Sequence, residues 1–280
     1  MGLLTGKVAL ITGATSGIGR RTVERFVEEG AQVLFCGRRA ELGATLEAAL
    51  GSERCRFVQA DVTLEADVER LIAACLAAFG RIDCLFNNAG GPAPQGGVES
   101  IPVAGFDAAM ATLVKSVMLG MKHAAPVMVK QGSGSIINNG SVAAVRAGFS
   151  SSMVYSAAKA AVVHLSNCAA MQLGEQNVRV NCISPGGIAT GIFGKAFGLP
   201  AAAADKTAEA MKAGLAKLQP IPRAGITDDI ANAALFLASD QSSFINGHNL
   251  VVDGGLTGGR MWTAQQAGLA GMKQAFGIDA

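Results

Sequence analysis

The sequence predicts an α/β protein built on a doubly wound parallel sheet, Rossmann-type, with helices on both faces, and three observations carry that prediction. Short apolar runs alternate with helix-length amphipathic segments along most of the chain. The first run is closed by a glycine-rich turn, TGATSGIG at 12–19, which opens into a helical pattern. Further on, Tyr155 and Lys159 lie four residues apart in YSAAK, a spacing that puts both on one helix face.

The elements follow in order. KVALIT at 7–12 is a continuous apolar run bounded by Gly13, the pattern of a strand buried on both faces. Similar runs recur at QVLFC (32–36), RFVQA (56–60), CLFNN (84–88), SIINN (135–139), VRVNCIS (178–184) and NLVVD (249–253). Between them, residues 17–29, 65–79, 106–129, 154–176 and 228–238 repeat apolar positions at helical spacing. Strand and helix therefore alternate, and right-handed crossovers place ligands at the carboxyl ends of the strands. Residues 191–222 break the alternation with a Gly- and Ala-rich, partly helical insertion, read here as a substrate lid. The chain of 280 residues suits one α/β domain with a large sheet, so residues 1–256 form a single dinucleotide-binding and catalytic domain. Residues 257–280 are a C-terminal extension that holds the only tryptophan, Trp262. Two readings of it stay open: a flexible tail, or a segment whose Trp262, Met272 and Phe276 pack on a neighbouring subunit near its substrate cleft.

Composition excludes several classes. Half the residues are apolar and 16% are charged, which supports a large core and apolar surface shared between subunits. With 23 Lys and Arg against 21 Asp and Glu and no basic run, nucleic acid is not an expected partner. Apolar stretches are interrupted before the ~20 residues needed to cross a bilayer, so no membrane association is expected and the location is read as cytoplasmic. The six cysteines are scattered without a Cys-x-x-Cys pair and read as buried reduced thiols. The three histidines read as isolated from one another and from carboxylate clusters, so no metal is expected.

The chemistry-bearing residues form a series. Gly13, Gly17 and Gly19 make a tight turn whose backbone N–H groups and following helix N-terminus suit a pyrophosphate, with Thr15, Ser16 and Ile18 lining it. The end of the second strand, where a dinucleotide site selecting NAD holds an acid for the ribose 2′-OH, carries Gly37, and Arg38 and Arg39 follow. Planar guanidinium groups suit a 2′-phosphate, so NADP is the preferred cofactor with NAD possible. Tyr155 reads as an acid/base that exchanges a proton with a substrate oxygen as hydride moves to or from a nicotinamide. Bringing its pKa from about 10 to about 7 takes roughly 4 kcal/mol of phenolate stabilisation. A positive charge about 4 Å away at an effective dielectric of about 20 supplies that much, which Lys159 and an oxidised nicotinamide can provide. Ser141 would hold the substrate oxygen.

Six segments in this order resemble the classical short-chain dehydrogenase/reductase family: TGATSGIG, Asp61-Val62, NNAG (87–90), Ser141, YSAAK and SPGGIAT (184–190). The resemblance runs from about residue 4 to about residue 256 and is closest to the secoisolariciresinol dehydrogenase-like and xanthoxin dehydrogenase-like members. It implies the strand order 3-2-1-4-5-6-7 and a homo-oligomer, a tetramer. It also implies that Asp61 and Val62 flank the adenine, that Asn88 and Gly90 approach the adenosine ribose, and that Ile188 and Thr190 contact the nicotinamide carboxamide. Lys159 would additionally bond the nicotinamide ribose, while Asn87 would brace neighbouring strands. By the family plan, Val145, Phe149, Met153, Ile192, Phe193, Phe197 and Leu199 border a cleft suited to an apolar or cyclic secondary alcohol or ketone. One departure stands out: the asparagine the family places on the helix before Ser141 falls here on Leu113, which cannot hold a water relay. It supports an alternative, an NAD(P)-binding regulatory protein with weak or lost catalysis.

Overall fold

Strands that are apolar at every position can be buried only in a sheet covered on both sides. The computed structural model, which describes residues 2–278, is built that way. The strands are β1 (Val8–Ile11), β2 (Gln32–Gly37), β3 (Cys55–Gln59), β4 (Cys84–Asn87), β5 (Gly134–Asn139), β6 (Val178–Pro185) and β7 (Asn249–Val252). All pair in parallel, in the order β3-β2-β1-β4-β5-β6-β7, as the sequence predicts.

The helices are α1 (Gly17–Glu28), α2 (Ala40–Leu50), α3 (Glu65–Phe79), α4 (Val103–Met110), α5 (Ser116–Gln131), α6 (Val142–Val145), α7 (Met153–Gly174), α8 (Ile192–Ala196), α9 (Ala201–Asp205), α10 (Ala208–Leu215), α11 (Thr227–Ala238) and α12 (Trp262–Ala275). The pleat sends alternate strand residues into two cores. Val8 and Leu10 meet Leu71, Val117, Met128 and Val162 from α3, α5 and α7. Ala9 and Ile11 meet Val23, Phe26, Leu46 and Ile230 from α1, α2 and α11. Arg21 of α1 adds an ion pair to Asp228 of α11 at 2.7 Å.

Several elements differ from the sequence reading. The single helix expected at 106–129 is α4, a π-helical turn at Ala111–Lys115, and α5. A π turn inserts one residue into the i→i−4 ladder and re-aims the side chains around it. The whole stretch Val103–Gln131 has the length and composition of a membrane-crossing helix, which run length alone had excluded. Val117, Leu119, Met121, Ala124 and Met128 are buried, so one face of this stretch packs into the core. Helix α2 gave no clear periodic signal because Gly43 and Leu46 are its buried positions, too thin a stripe to detect. The extension forms α12, which buries none of its residues. Residues 191–222, the insertion in the sequence pattern, contain α8, α9 and α10.

All six cysteines are free, and five are buried; Cys168 on α7 is exposed, unlike the uniform burial expected. His123 is not isolated from carboxylates: its Nε2 lies 3.0 Å from Glu65 Oε1, and Glu69 stands beside it. The Lys122 ammonium pairs with the same Glu65 carboxylate.

Phe86 of β4 is fully buried in the core beneath α1. Phe86→Ala should lower the unfolding free energy by about 3–5 kcal/mol, read as a lower urea midpoint with an unchanged slope. A loss below about 1 kcal/mol would show that this core collapses around the gap.

Candidate active site

The carboxyl ends of β1, β4 and β5 meet at the glycine turn. Gly13 has φ 65°, and a Cβ there would lie 2.5 Å from the Ala89 Cα, so no side chain fits between the turn and the end of β4. Ser16 caps α1 without a side-chain bond to the helix, and the first turn holds no acid. The leading N–H groups of α1 are therefore left for an anion. Asn88 braces this cradle: its Nδ2 donates to the Thr12 and Gly13 carbonyls at 3.0 and 3.1 Å, and its Oδ1 accepts from Asn139 Nδ2 at 3.0 Å. Asn87 donates to Asn138 Oδ1 at 2.9 Å, the strand brace that the sequence suggests.

Ser141 follows β5 and caps α6, its Oγ accepting from the Ala143 N–H at 3.1 Å. Ser152 caps α7, accepting from the Tyr155 N–H at 3.1 Å and donating to the Pro94 carbonyl. That cap fixes the first turn of α7, and with it Tyr155. One turn later, Lys159 is buried with its Nζ 5.8 Å from the Tyr155 ring centroid and donates to the Asn139 main-chain carbonyl. Among the described residues this carbonyl is its one acceptor, so two of its three N–H bonds remain for the cleft. Burial pushes the Lys159 ammonium down to about 8. Burial also pushes the Tyr155 phenol above its ordinary value, while a hydrogen bond from Ser141 works the other way.

Three cavities join along this edge. A space of about 410 Å3 is bordered by Thr15, Gly37, Arg38, Arg39, Asp61 and Val62. It shares Gly13, Ser16 and Gly90 with a space of about 190 Å3 that also touches Ile18, Asn88, Ser141, Tyr155, Lys159, Ile188 and Thr190. Ser141 and Tyr155 in turn border a third cavity of about 530 Å3. Every residue the sequence assigns to the cofactor thus lies on one groove, with Gly19 lining the middle portion. These residues fit a dinucleotide: an anion cradle at the centre, a cationic end at Arg38 and Arg39, and a polar end at Thr190, Tyr155 and Lys159.

At the Arg38 and Arg39 end, packing disfavours an acid at position 37. A Cβ on Gly37 would lie 2.7 Å from the Thr15 Cγ2, so a larger residue requires that threonine to move. Asp61 bends back on its own chain, accepting from the Thr63 N–H at 3.0 Å and the Thr63 hydroxyl at 2.8 Å. Those bonds hold its carboxyl below the usual range against the upward push of burial.

A family profile described as "Enoyl-(Acyl carrier protein) reductase" matches residues 13–257. The chain is 42% identical to momilactone A synthase of Oryza sativa subsp. japonica over 258 residues, 91% of each protein. It is 37% identical to secoisolariciresinol dehydrogenase of Forsythia intermedia, covering 91% of this chain and 90% of that one. The crystal structure of a putative short-chain dehydrogenase/reductase from Burkholderia xenovorans superposes with a TM-score of 0.82 at 35% identity, covering 93% of this chain and all of that one.

The chain belongs to the short-chain dehydrogenase/reductase family. It is an NAD(P)-dependent oxidoreductase that transfers hydride, with a small organic alcohol or ketone as substrate. Within this short-chain dehydrogenase/reductase, the third cavity takes Phe149, Ile192 and Phe193 from the residues expected at the substrate. Val145, Met153, Phe197 and Leu199 do not line it. Met153 opens α7 two residues before Tyr155, which turns it to the far side of the helix, and Phe197 is 76% exposed at the end of α8. Val142, Leu215, Leu218 and Leu256 take their place. Leu215 ends α10, inside the stretch that the sequence marks as partly helical; Leu256 comes from a loop beyond β7, for which no periodic signal exists.

Leu113 sits in the π-helical turn, 1% exposed, packed with Val154, Ala158 and Tyr155 and lining the middle cavity beside Lys159. Leu113 and Lys159 thus line one cavity, and position 113 presents hydrocarbon to it. Leu113→Asn should hydrate Lys159 and raise its pKa. The alkaline loss of alcohol oxidation should then move up by about one pH unit. An unchanged alkaline limb would show that residue 113 does not control hydration of the ammonium.

Proposed function

We propose that the protein interconverts an apolar or cyclic secondary alcohol and its ketone, using NADP in preference to NAD. The observation that carries this reading is the position of Tyr155 and Ser141 where the cofactor groove opens into the cavity of about 530 Å3. The cavity's aromatic and aliphatic walls, Phe149, Phe193, Leu215 and Leu256, favour a bulky hydrocarbon frame over a charged one. The missing acid at Gly37 and the two arginines beside it support NADP.

The bound nicotinamide supplies the hydride acceptor or donor. In oxidation, Tyr155 as phenolate takes the hydroxyl proton while hydride leaves the same carbinol carbon; in reduction it returns the proton to the new alkoxide. Ser141 donates to the substrate oxygen and stabilises its developing charge. Lys159, 5.8 Å from the Tyr155 ring centroid, contributes about 3 kcal/mol towards the phenolate at an effective dielectric of about 20. That is less than the roughly 4 kcal/mol needed to bring a phenol to neutral pH, and burial adds to the demand. A cationic nicotinamide makes up the difference. The two free Lys159 N–H bonds suit the nicotinamide ribose hydroxyls.

Leu113 favours a second reading, a regulatory NAD(P)-binding protein with weak or lost catalysis. Cofactor binding with no turnover across a panel of secondary alcohols and ketones would select it. The intact Ser141, Tyr155 and Lys159 constellation favours the enzyme. We take it to work in the cytoplasm, since all six thiols are free. We also read it as a homotetramer in which residues 257–280 cover a neighbour, because Trp262, Met272 and Phe276 are exposed on a helix with no buried residue.

Tyr155→Phe should cut turnover by at least about 100-fold while cofactor affinity stays within about twofold; near-normal turnover would remove Tyr155 from the chemistry. Because Tyr155 must lose its proton to oxidise an alcohol, and burial holds its pKa up, oxidation should rise above neutral pH until Lys159, held down to about 8, loses its charge and the alkaline loss sets in. Reduction, which needs the protonated phenol, should hold at neutral pH and fall at alkaline pH; initial rates in both directions check this. Sedimentation of a chain ending at Gly258 should show weaker assembly, and an unchanged tetramer would clear the tail of any interface role.

A further inference from the structure

Arg39 reaches from the end of β2 across the glycine turn, and each of its three guanidinium nitrogens donates a hydrogen bond. Its Nε donates to Thr15 Oγ1 at 3.2 Å, its Nη2 to Ser16 Oγ at 2.5 Å and its Nη1 to Asp205 Oδ2 at 2.5 Å. Asp205 is the last residue of α9, in the lid, and its other oxygen lies 3.4 Å from the Lys195 Nζ of α8. Its neighbour across the chain, Gly191, could carry no side chain: a Cβ there would lie 2.6 Å from Asp205 Oδ1. The carboxylate is thus packed in place over the junction of the adenosine and central spaces of the groove, with Lys195 bordering both. An anion from the lid stands on the arginine that faces the adenosine ribose.

We propose that Asp205 is a specificity-determining residue that competes with the cofactor's 2′-phosphate for Arg39. A phosphate dianion accepts charge-assisted bonds from a guanidinium more strongly than a carboxylate that must also serve a lysine. Binding of NADP therefore releases Asp205 to Lys195 and loosens the lid. A ribose 2′-OH carries no charge to displace the carboxylate, so with NAD the lid remains tied to the phosphate turn. Asp205 lowers the affinity for NADP by the work of this exchange, and so narrows a preference that Arg38 and Arg39 would otherwise make wide. The inference rests on the reading of Arg39 as a 2′-phosphate ligand.

The test uses adenosine 2′,5′-bisphosphate and 5′-AMP as probes, titrated calorimetrically into the full chain, with kcat/KM for NADP and NAD measured alongside. Asp205→Asn, which keeps the shape and removes the charge, should tighten the bisphosphate about tenfold and leave 5′-AMP within about twofold. The NADP to NAD ratio of kcat/KM should rise in step. In an Arg39→Ala background the same change should have no effect, since the two side chains act through one bond. Amide exchange over residues 199–207 of the unsubstituted protein should quicken with the bisphosphate and not with 5′-AMP. Equal effects on both probes, or none, would overturn the role of Asp205. If Arg39→Ala leaves bisphosphate affinity unchanged, the reading of Arg39 itself fails, and the inference with it. If Arg39→Ala weakens the bisphosphate but Asp205→Asn does nothing, Arg39 stands and Asp205 does not.

Discussion

The ends of three strands are tied together by a run of hydrogen bonds, and the site depends on it. Thr12 and Gly13 at the end of β1 accept from Asn88 after β4, Asn88 accepts from Asn139 of β5, and the Asn139 carbonyl accepts from Lys159 of α7. The glycine turn and the Tyr155/Lys159 pair are thereby fixed relative to each other, although more than a hundred residues separate them in the chain. Because Gly13 packs directly on Ala89, the first link has no slack. One member, Asn139, keeps a buried Oδ1 without a partner in this state, an unspent acceptor beside the groove.

The site also holds two opposed demands. A buried lysine resists its charge and a buried phenol resists losing its proton, yet oxidation needs the ammonium and the phenolate side by side. Burial makes each interaction strong and each ion costly at once. Leu113 adds hydrocarbon to the wall of the cavity that Lys159 also lines. The chain alone therefore leaves the pair poised short of the reactive state, and the remainder must come from what binds.

Much of this was legible in the sequence. Parallel strands announce themselves because both faces are buried, and the glycine turn and the Tyr155/Lys159 spacing are local features that a fixed backbone geometry explains. The π-helical turn at Ala111–Lys115 was not visible, since inserting one residue into a ladder leaves the apolar spacing almost intact. The substrate wall was only half visible. Phe149 and Phe193 were found by the pattern of neighbouring landmarks, while Met153 fails because two residues along a helix is the wrong side, and Leu256 comes from a loop. Contacts between distant segments, such as Arg39 with Asp205, have no signature in one sequence.

Thr15 occupies the space that a side chain at position 37 would need, and its hydroxyl steadies the Arg39 guanidinium. An ancestral or descendant chain converting from one cofactor to the other could not acquire a carboxylate at 37 alone, because the newcomer would collide with the threonine. Trimming residue 15 first opens the room but unsettles the arginine, so the intermediate would serve neither cofactor well. The two positions are thus expected to change as a pair, with a shallow fitness valley between, and that coupling helps keep a lineage on the cofactor it began with.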